Sequence, residues 1–263
     1  MDFKNKIIWI TGASSGIGEA LAIELSNQGA NLVLSARRED ELQRVKGLCK
    51  DPSMVTVLPM DLLDISSIDA KVAQVIAGFG RIDMLINNGG ISQRSVAVKT
   101  SLEIDRKIME VNFFSYVAIT KVVLPFMINQ NSGHIVVTSS ILGKIGVPLR
   151  STYASSKHAL HGFFDCLREE VRFNNIKILL VCPGWIKTNV TFNAITETGE
   201  AFNKMGDGQS TGMLPAKCAT KIIQAINRNK TEVYIGGYEI LTVYFKRYFP
   251  SLYLKIVSQF KTT

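Results

Sequence analysis

Short apolar runs of strand length alternate with longer segments of helical period along almost the whole chain. This alternation constrains the fold more than any other feature. Residues 6–10, 31–35, 55–58, 84–86, 134–138, 177–181 and 232–235 are the strand-like runs. Between them, residues 16–28, 39–50, 65–78, 102–128, 152–173 and 215–227 carry apolar positions at helical spacing. Successive strands joined through a helix pair in parallel, because the crossover returns the chain to the same end of the sheet. Strands apolar on both faces need helices on each side. The expectation is an α/β fold of three layers around a mainly parallel seven-stranded sheet. A chain of 263 residues suits a single domain. Residues 1–235 are expected to form it, with residues 236–263 as a C-terminal extension. Pro125 falls inside the 102–128 segment and is expected to kink or end that helix.

Composition narrows the class. Apolar residues make up 46% and charged residues 20% of the chain, which is ordinary for a globular protein. The net charge of +8 is dispersed, and no nucleic-acid-binding module is present. Solubility and a phosphate-bearing ligand account for it, with no nucleic-acid partner. No apolar run reads as long enough to span a bilayer, and the first strand begins almost at Met1. A leader or N-terminal anchor is therefore not expected, and a cytoplasmic location is. Cys49, Cys166, Cys182 and Cys218 lack metal-type spacing. Three lie in apolar stretches and read as buried free thiols, with no metal site.

Directly after the first strand comes Thr11-Gly12-Ala-Ser14-Ser15-Gly16-Ile17-Gly18. Glycines there let the backbone turn tightly and approach a pyrophosphate, while the following helix N-terminus favours negative charge. The three-layer fold is thus expected to be of the Rossmann type. Its ligand should bind beyond the C-terminal strand ends; Gly12, Asp61, Asn87, Ser140 and Pro183 all fall just past predicted ends. After the second strand an acid would bind the ribose 2′-hydroxyl of NAD. The chain instead has Ser35-Ala36-Arg37-Arg38, with no acid before Glu39. Guanidinium groups suit a 2′-phosphate, so NADP(H) is expected over NAD(H). Arg37 is the first contact, with Ser35 or Arg38 assisting.

Tyr153 and Lys157 stand four residues apart, one turn along a helix face. A phenol is a poor acid until a nearby cation favours its ionised form. The pair therefore reads as a proton donor with its activator. Ser140 lies thirteen residues upstream, with Ser139 its immediate rival. Together with Asn87-Asn88-Gly89-Gly90, Asn112 and Pro183-Gly184, these motifs make the chain resemble the short-chain dehydrogenases/reductases over roughly residues 5–235. Gly89 departs from the family, which usually has Ala there. The resemblance implies that Tyr153 is the acid, that Ser140 donates to the substrate oxygen, and that Lys157 grips the nicotinamide ribose. It gives Asn112 a water that relays protons to the lysine. It also places Gly12, Ser14, Ser15, Gly16, Ile17, Gly18 and Leu62 around the cofactor, Asp61 at the adenine, and Asn88 near its ribose. Gly89, Gly90, Pro183 and Gly184 complete the wall, and Ile186 and Thr188 hold the carboxamide. His158 and His161 are expected on the surface or on a helix face.

Residues 189–214 form a glycine-rich segment where the family places its substrate-binding loop. Phe192, Ile195, Phe202, Met205 and Met213 would give it an apolar lid, suggesting a hydrophobic or lipid-like carbonyl or alcohol. The tail mixes Tyr244, Phe245, Tyr248, Phe249, Tyr253, Leu254, Ile256, Val257 and Phe260 with Lys246, Arg247, Lys255 and Lys261. That mixture suits either a membrane interface or packing on a subunit. The tail and residues 189–193 resemble the dehydrogenase/reductase member 7 branch. Family members pair the 102–128 and 152–173 helices across a two-fold axis, which implies a homodimer or homotetramer. Two other activities fit less of the chain. A 3-oxoacyl-carrier-protein reductase would suit the positive charge but not the aromatic tail. An idle NADP-binding regulator or scaffold would not need Asn112, Ser140, Tyr153 and Lys157 together.

Overall fold

The computed structural model describes residues 1–204 and 207–257. Met205, Phe260 and Lys261 lie outside the described residues, as do the side chains of Ile256 and Val257. The strands are β1 (Ile7–Thr11), β2 (Asn31–Ser35), β3 (Val55–Val57), β4 (Met84–Asn87), β5 (Gly133–Thr138), β6 (Ile176–Pro183) and β7 (Glu232–Ile235). They form one parallel sheet in the order β3-β2-β1-β4-β5-β6-β7. Helices α1 (Gly16–Asn27), α2 (Glu39–Leu48), α3 (Ile68–Phe79), α4 (Leu102–Met109), α5 (Ser115–Asn129) and α6 (Ser151–Glu170) join the first six strands. The short α7 (Asp207–Ser210) and α8 (Pro215–Asn227) precede β7, and α9 (Leu241–Tyr248) and α10 (Pro250–Val257) follow it.

Alternate strand residues build the two interior layers, as side chains of period two must. Ile8 and Ile10 of β1 face Leu21 and Leu25 of α1, Leu42 of α2 and Ile222 of α8 in one cluster. Trp9 faces the opposite cluster, with Val72 of α3, Tyr116 and Val123 of α5, and Phe164 of α6. The strand order reverses between β1 and β4, so the chain leaves those neighbouring ends in opposite directions and opens a crevice there. The single-domain Rossmann-type architecture expected above is the one found.

Three local expectations are corrected. Pro125 does not end its helix, because α5 continues to Asn129. The expected single helix is interrupted instead at Glu110–Phe114, a π-helical turn. Such turns insert a residue into the helical ladder and concentrate at functional sites. Finally, the run Leu102–Asn129 is by length and apolarity long enough to cross a membrane, although 44% of its most apolar window is buried within the protein. Its early charges had masked this, since Glu103, Asp105, Arg106, Lys107 and Glu110 all precede residue 111.

The tail divides at Pro250 into two short helices, and it packs on the chain itself. Val243 and Tyr253 join Ile141 and Ile145 in a small core. Lys246 Nζ donates to the Lys144 carbonyl at 3.1 Å, and the Tyr253 hydroxyl to that of Gly146 at 3.3 Å.

Candidate active site

The ends of β1, β4 and β5 are tied together by the residues that follow them. Thr11 Oγ1 accepts the amides of Asn88 at 3.0 Å and Gly89 at 3.2 Å. Asn88 Nδ2 donates to the Thr11 and Gly12 carbonyls, and its Oδ1 accepts from Thr138. Its amide is thus spent on joining strand ends. Gly12 and Gly16 have φ of 64° and 61°, a region that suits glycine. A Cβ on Gly12 would come within 2.4 Å of Gly89 Cα, and one on Gly18 within 2.2 Å of the Gly12 oxygen. Ser15 caps α1 in extended conformation without a side-chain bond to its amides. The first-turn N–H groups therefore lack a capping acceptor, which suits a phosphate. This glycine cradle fits a dinucleotide.

Around the cradle, Thr188 lies against Gly16, where an added Cβ would meet its Cγ2 at 3.0 Å. Ile186 is buried in the core. Ser14 is held through its carbonyl by Arg44, which pairs with Glu19 and Glu41. The exposed Asp61 accepts the Leu63 amide at 3.0 Å rather than capping the turn at Ile65. A Cβ on Gly89 would approach Leu62 Cδ1 at 2.7 Å, so the departure to glycine makes room for Leu62. Arg37 and Arg38 are exposed at the end of β2. Ser35 is not beside them in any useful sense: it is fully buried and accepts the Trp9 indole N–H at 2.9 Å. Its expected share in phosphate binding is withdrawn, because alternation along β2 turns its side chain into the core.

Ser140, Tyr153 and Lys157 come together at the ends of β5 and β6. The Tyr153 hydroxyl is raised above its ordinary pKa by burial, against a hydrogen bond with Ser140 and the charge of Arg150. Ser140 Oγ also accepts the Leu142 amide at 3.1 Å and reaches the Pro183 carbonyl at 3.4 Å. Ser139 faces the other way, donating to the Lys157 carbonyl and meeting His161 Nε2, each at 3.1 Å. Lys157 Nζ donates to the Thr138 carbonyl at 2.9 Å and lies 5.9 Å from the centre of the Tyr153 ring. Burial lowers its pKa to about 7. Asn112, in the π turn, accepts the Ile91 amide at 2.8 Å and donates to the Ile91 carbonyl and Ser156. Its side chain thereby fastens the loop after β4 to α6. Surface depressions around Arg168 and around Thr56 share no residue with this cluster.

Several supporting residues had no legible signal. Gln93, fully buried, accepts the amides of Thr152 at 2.9 Å and Tyr153 at 3.1 Å and so caps the helix that carries the tyrosine. His161, expected on the surface or on a helix face, is buried with Ser139 and Cys182 behind Lys157. His161, Cys182 and Glu232 offer ligand atoms within 4.8 Å of one another. Glu232 nevertheless already pairs with Lys144 at 2.7 Å. Burial works to raise the Glu232 carboxyl, but hydrogen bonds from His161, Lys144 and Tyr234 hold it at about 2. Glu239 is buried against Gly184 and Gly236 and accepts the Trp185 amide at 2.8 Å. Only tertiary proximity creates these contacts. The glycine pattern could have hinted at the last, since a carboxylate fills the space beside two glycines.

The residues of the 189–214 lid divide. Ile195 is buried with Ile104 and Ile108 and bridges to Gln93, while Met213 packs on the core beside Ile186. Phe202 lies 5.1 Å beneath the Arg94 guanidinium, and Phe192 is exposed.

A switch-point crevice, a glycine cradle and a Ser-Tyr-Lys cluster define an oxidoreductase of the nucleotide-binding Rossmann class. Residues 6–198 match the sequence profile described as short chain dehydrogenase, and the chain belongs to that family. A Drosophila melanogaster relative, dehydrogenase/reductase SDR family protein 7-like, is 42% identical over 97% of this chain and 80% of its own length. Human dehydrogenase/reductase SDR family member 7 is 43% identical over 95% of this chain and 76% of its own. A short-chain dehydrogenase/reductase from Burkholderia phymatum, solved in complex with NAD, superposes with a TM-score of 0.83 over 100% of this chain and 98% of that one. At 22% identity, that likeness speaks for the fold alone.

Proposed function

We propose that this chain is an NADP(H)-dependent oxidoreductase that interconverts a carbonyl and a secondary alcohol on a largely hydrophobic substrate. The observation that carries the reading is the convergence of the Tyr153 hydroxyl with Ser140, which favours its ionised form, and with the Lys157 amine one turn along the same helix. A bound nicotinamide would supply or accept the hydride. Tyr153 gives its proton to the carbonyl oxygen during reduction. Ser140 turns its hydroxyl from the weak Pro183 contact towards that oxygen and stabilises its developing charge. Lys157, fixed on the Thr138 carbonyl, favours the phenolate left behind. The dehydrogenase/reductase names of the relatives support the same reaction class.

NADP(H) preference rests on Arg37 and Arg38, exposed where an NAD enzyme would place an acid. Peripheral membrane contact of a protein on the cytoplasmic side rests on the outward face of the tail. Tyr238, Leu241, Tyr244, Tyr248, Phe249, Leu252 and Leu254 are exposed there with Arg247 and Lys255, while Lys246 turns inward to the Lys144 carbonyl.

Titration of NADPH and NADH against the parent and Arg37→Ala tests the cofactor. The parent should prefer NADPH by roughly one to two decades, the value of a charge-assisted contact, and the variant should lose most of that. Equal parent affinities would refute the preference. Reduction of a carbonyl panel, followed as NADPH consumption, tests the reaction.

A further inference from the structure

Arg150 is the N-cap residue of α6, one turn before Tyr153. It follows Leu149, whose φ of 65° is an outlier for a branched residue. Its guanidinium donates from Nη1 to Ser92 Oγ and from Nη2 to Thr191 Oγ1, the latter at 3.4 Å. Both hydroxyl residues are buried; Ser92 lies in the loop after β4 and Thr191 in the lid. Arg44, Arg81, Arg168 and Arg172 each meet a carboxylate. Arg150 meets two hydroxyls, and among the described residues no carboxylate pairs with it. Asp105, on the neighbouring α4, holds the Thr152 hydroxyl instead.

A guanidinium stays charged, and two neutral hydroxyls give it no counter-charge. Burial accordingly draws its pKa down to about 10, with the positive charge of Arg94 acting in the same direction. Arg150 opens the helix that carries Tyr153 one turn later, and the charge of each bears on the other. Nearby wall residues are apolar: Ile91 and Ile195 pack together, and Phe202 lies under Arg94.

We propose that Arg150 is a specificity-determining residue that binds a carboxylate on the substrate, so that the site takes oxo or hydroxy acids with an apolar chain. A carboxylate matches the planar fork of arginine through paired hydrogen bonds. The apolar wall accommodates the chain. Naming the ligand as substrate rests on the oxidoreductase reading above; the anion site itself rests only on Arg150 and its neighbours.

Calorimetry on the whole protein, with and without NADP, tests the site using octanoate, octanamide and octyl phosphate as probes. Octanoate should bind the parent at least about tenfold more tightly than octanamide, with Arg150→Met erasing the difference and Arg150→Lys keeping part of it. Equal binding of octanoate and octanamide by the parent overturns the proposal without reference to any variant. A preference that survives in a folded Arg150→Met protein also overturns it. Tighter binding of octyl phosphate than octanoate would replace the carboxylate by a phosphate ester. Octanoate binding through Arg150 without NADPH- or NADH-coupled turnover of any oxo acid would uphold the anion site and sink the oxidoreductase reading instead.

Discussion

Lys157 shows how much one residue's meaning depends on where it is buried. In the sequence it is an ammonium four residues from a phenol. In the fold its amine is enclosed near Tyr116 and Tyr153, bonded to Thr138, with a pKa lowered to about 7. An unfolded lysine keeps its proton to about pH 10.4. Between pH 7 and that value the unfolded chain therefore binds a proton that the folded protein has released, and stability rises with pH. Below pH 7 both states are protonated and the penalty is fully present. Relative to Lys157→Met, the parent should gain more than about 1 kcal/mol between pH 7 and pH 9.5 in urea unfolding. An unchanged difference would mean a solvated amine. At the reacting group, Tyr153→Phe should lower turnover by about 10²–10⁴-fold while leaving cofactor affinity intact. Near-normal turnover would assign the proton to another residue.

The element that matters most is α6, and its start is held from outside. Pairs of open amides at a helix N-terminus are usually met by a local Ser, Thr, Asp or Asn. Here Gln93, from the loop after β4, reaches the amides of Thr152 and Tyr153. Gln93→Leu should cost about 0.5–2 kcal/mol in thermal or urea unfolding, as loss of a cap does. It should also lower kcat more than it raises KM, since the tyrosine it positions is the proton donor. The conservative change Gln93→Glu keeps an acceptor oxygen facing both amides and should restore most of the stability. A loss confined to stability, with kcat untouched, would make the cap purely structural.

At the scale of the molecule, apolar side chains reach the surface along the π turn and α5, beside α6, whose own exposed positions are mainly polar. Phe114 and Ile128 are exposed there, and Phe113 packs edge-on against Phe114 and Phe163. A homodimer or homotetramer formed across these helices would bury that surface. Light scattering should give at least twice the 29.0 kDa of one chain at micromolar concentration; a single-chain mass would rule this assembly out. The tail is the second whole-molecule question. Its inner face holds the 141–146 loop next to Ser140, and its outer face is aromatic. Parent protein should co-sediment with anionic vesicles at low salt and release at high salt, because the basic residues act through screened charge. Failure to sediment with either anionic or neutral vesicles would leave the tail only its role on the loop.

The sequence by itself determined the parallel sheet, the glycine cradle and the Ser-Tyr-Lys set, because each is written in local spacing. Period-two and helical patterns set which faces are buried, and turn residues set where the strands end. The resemblance favoured Ser140 over Ser139, and tertiary structure supplied the physical ground, since adjacent residues point to opposite sides and the position of α6 shows which side holds Tyr153. Tertiary structure alone decided that Ser35 faces Trp9, that His161 is buried beside Glu232, and that Gln93 caps a helix some sixty residues away. Arg150 belongs to the same group. Whether a guanidinium finds a carboxylate depends on which segments the fold brings to it, and no pattern along the chain encodes that meeting.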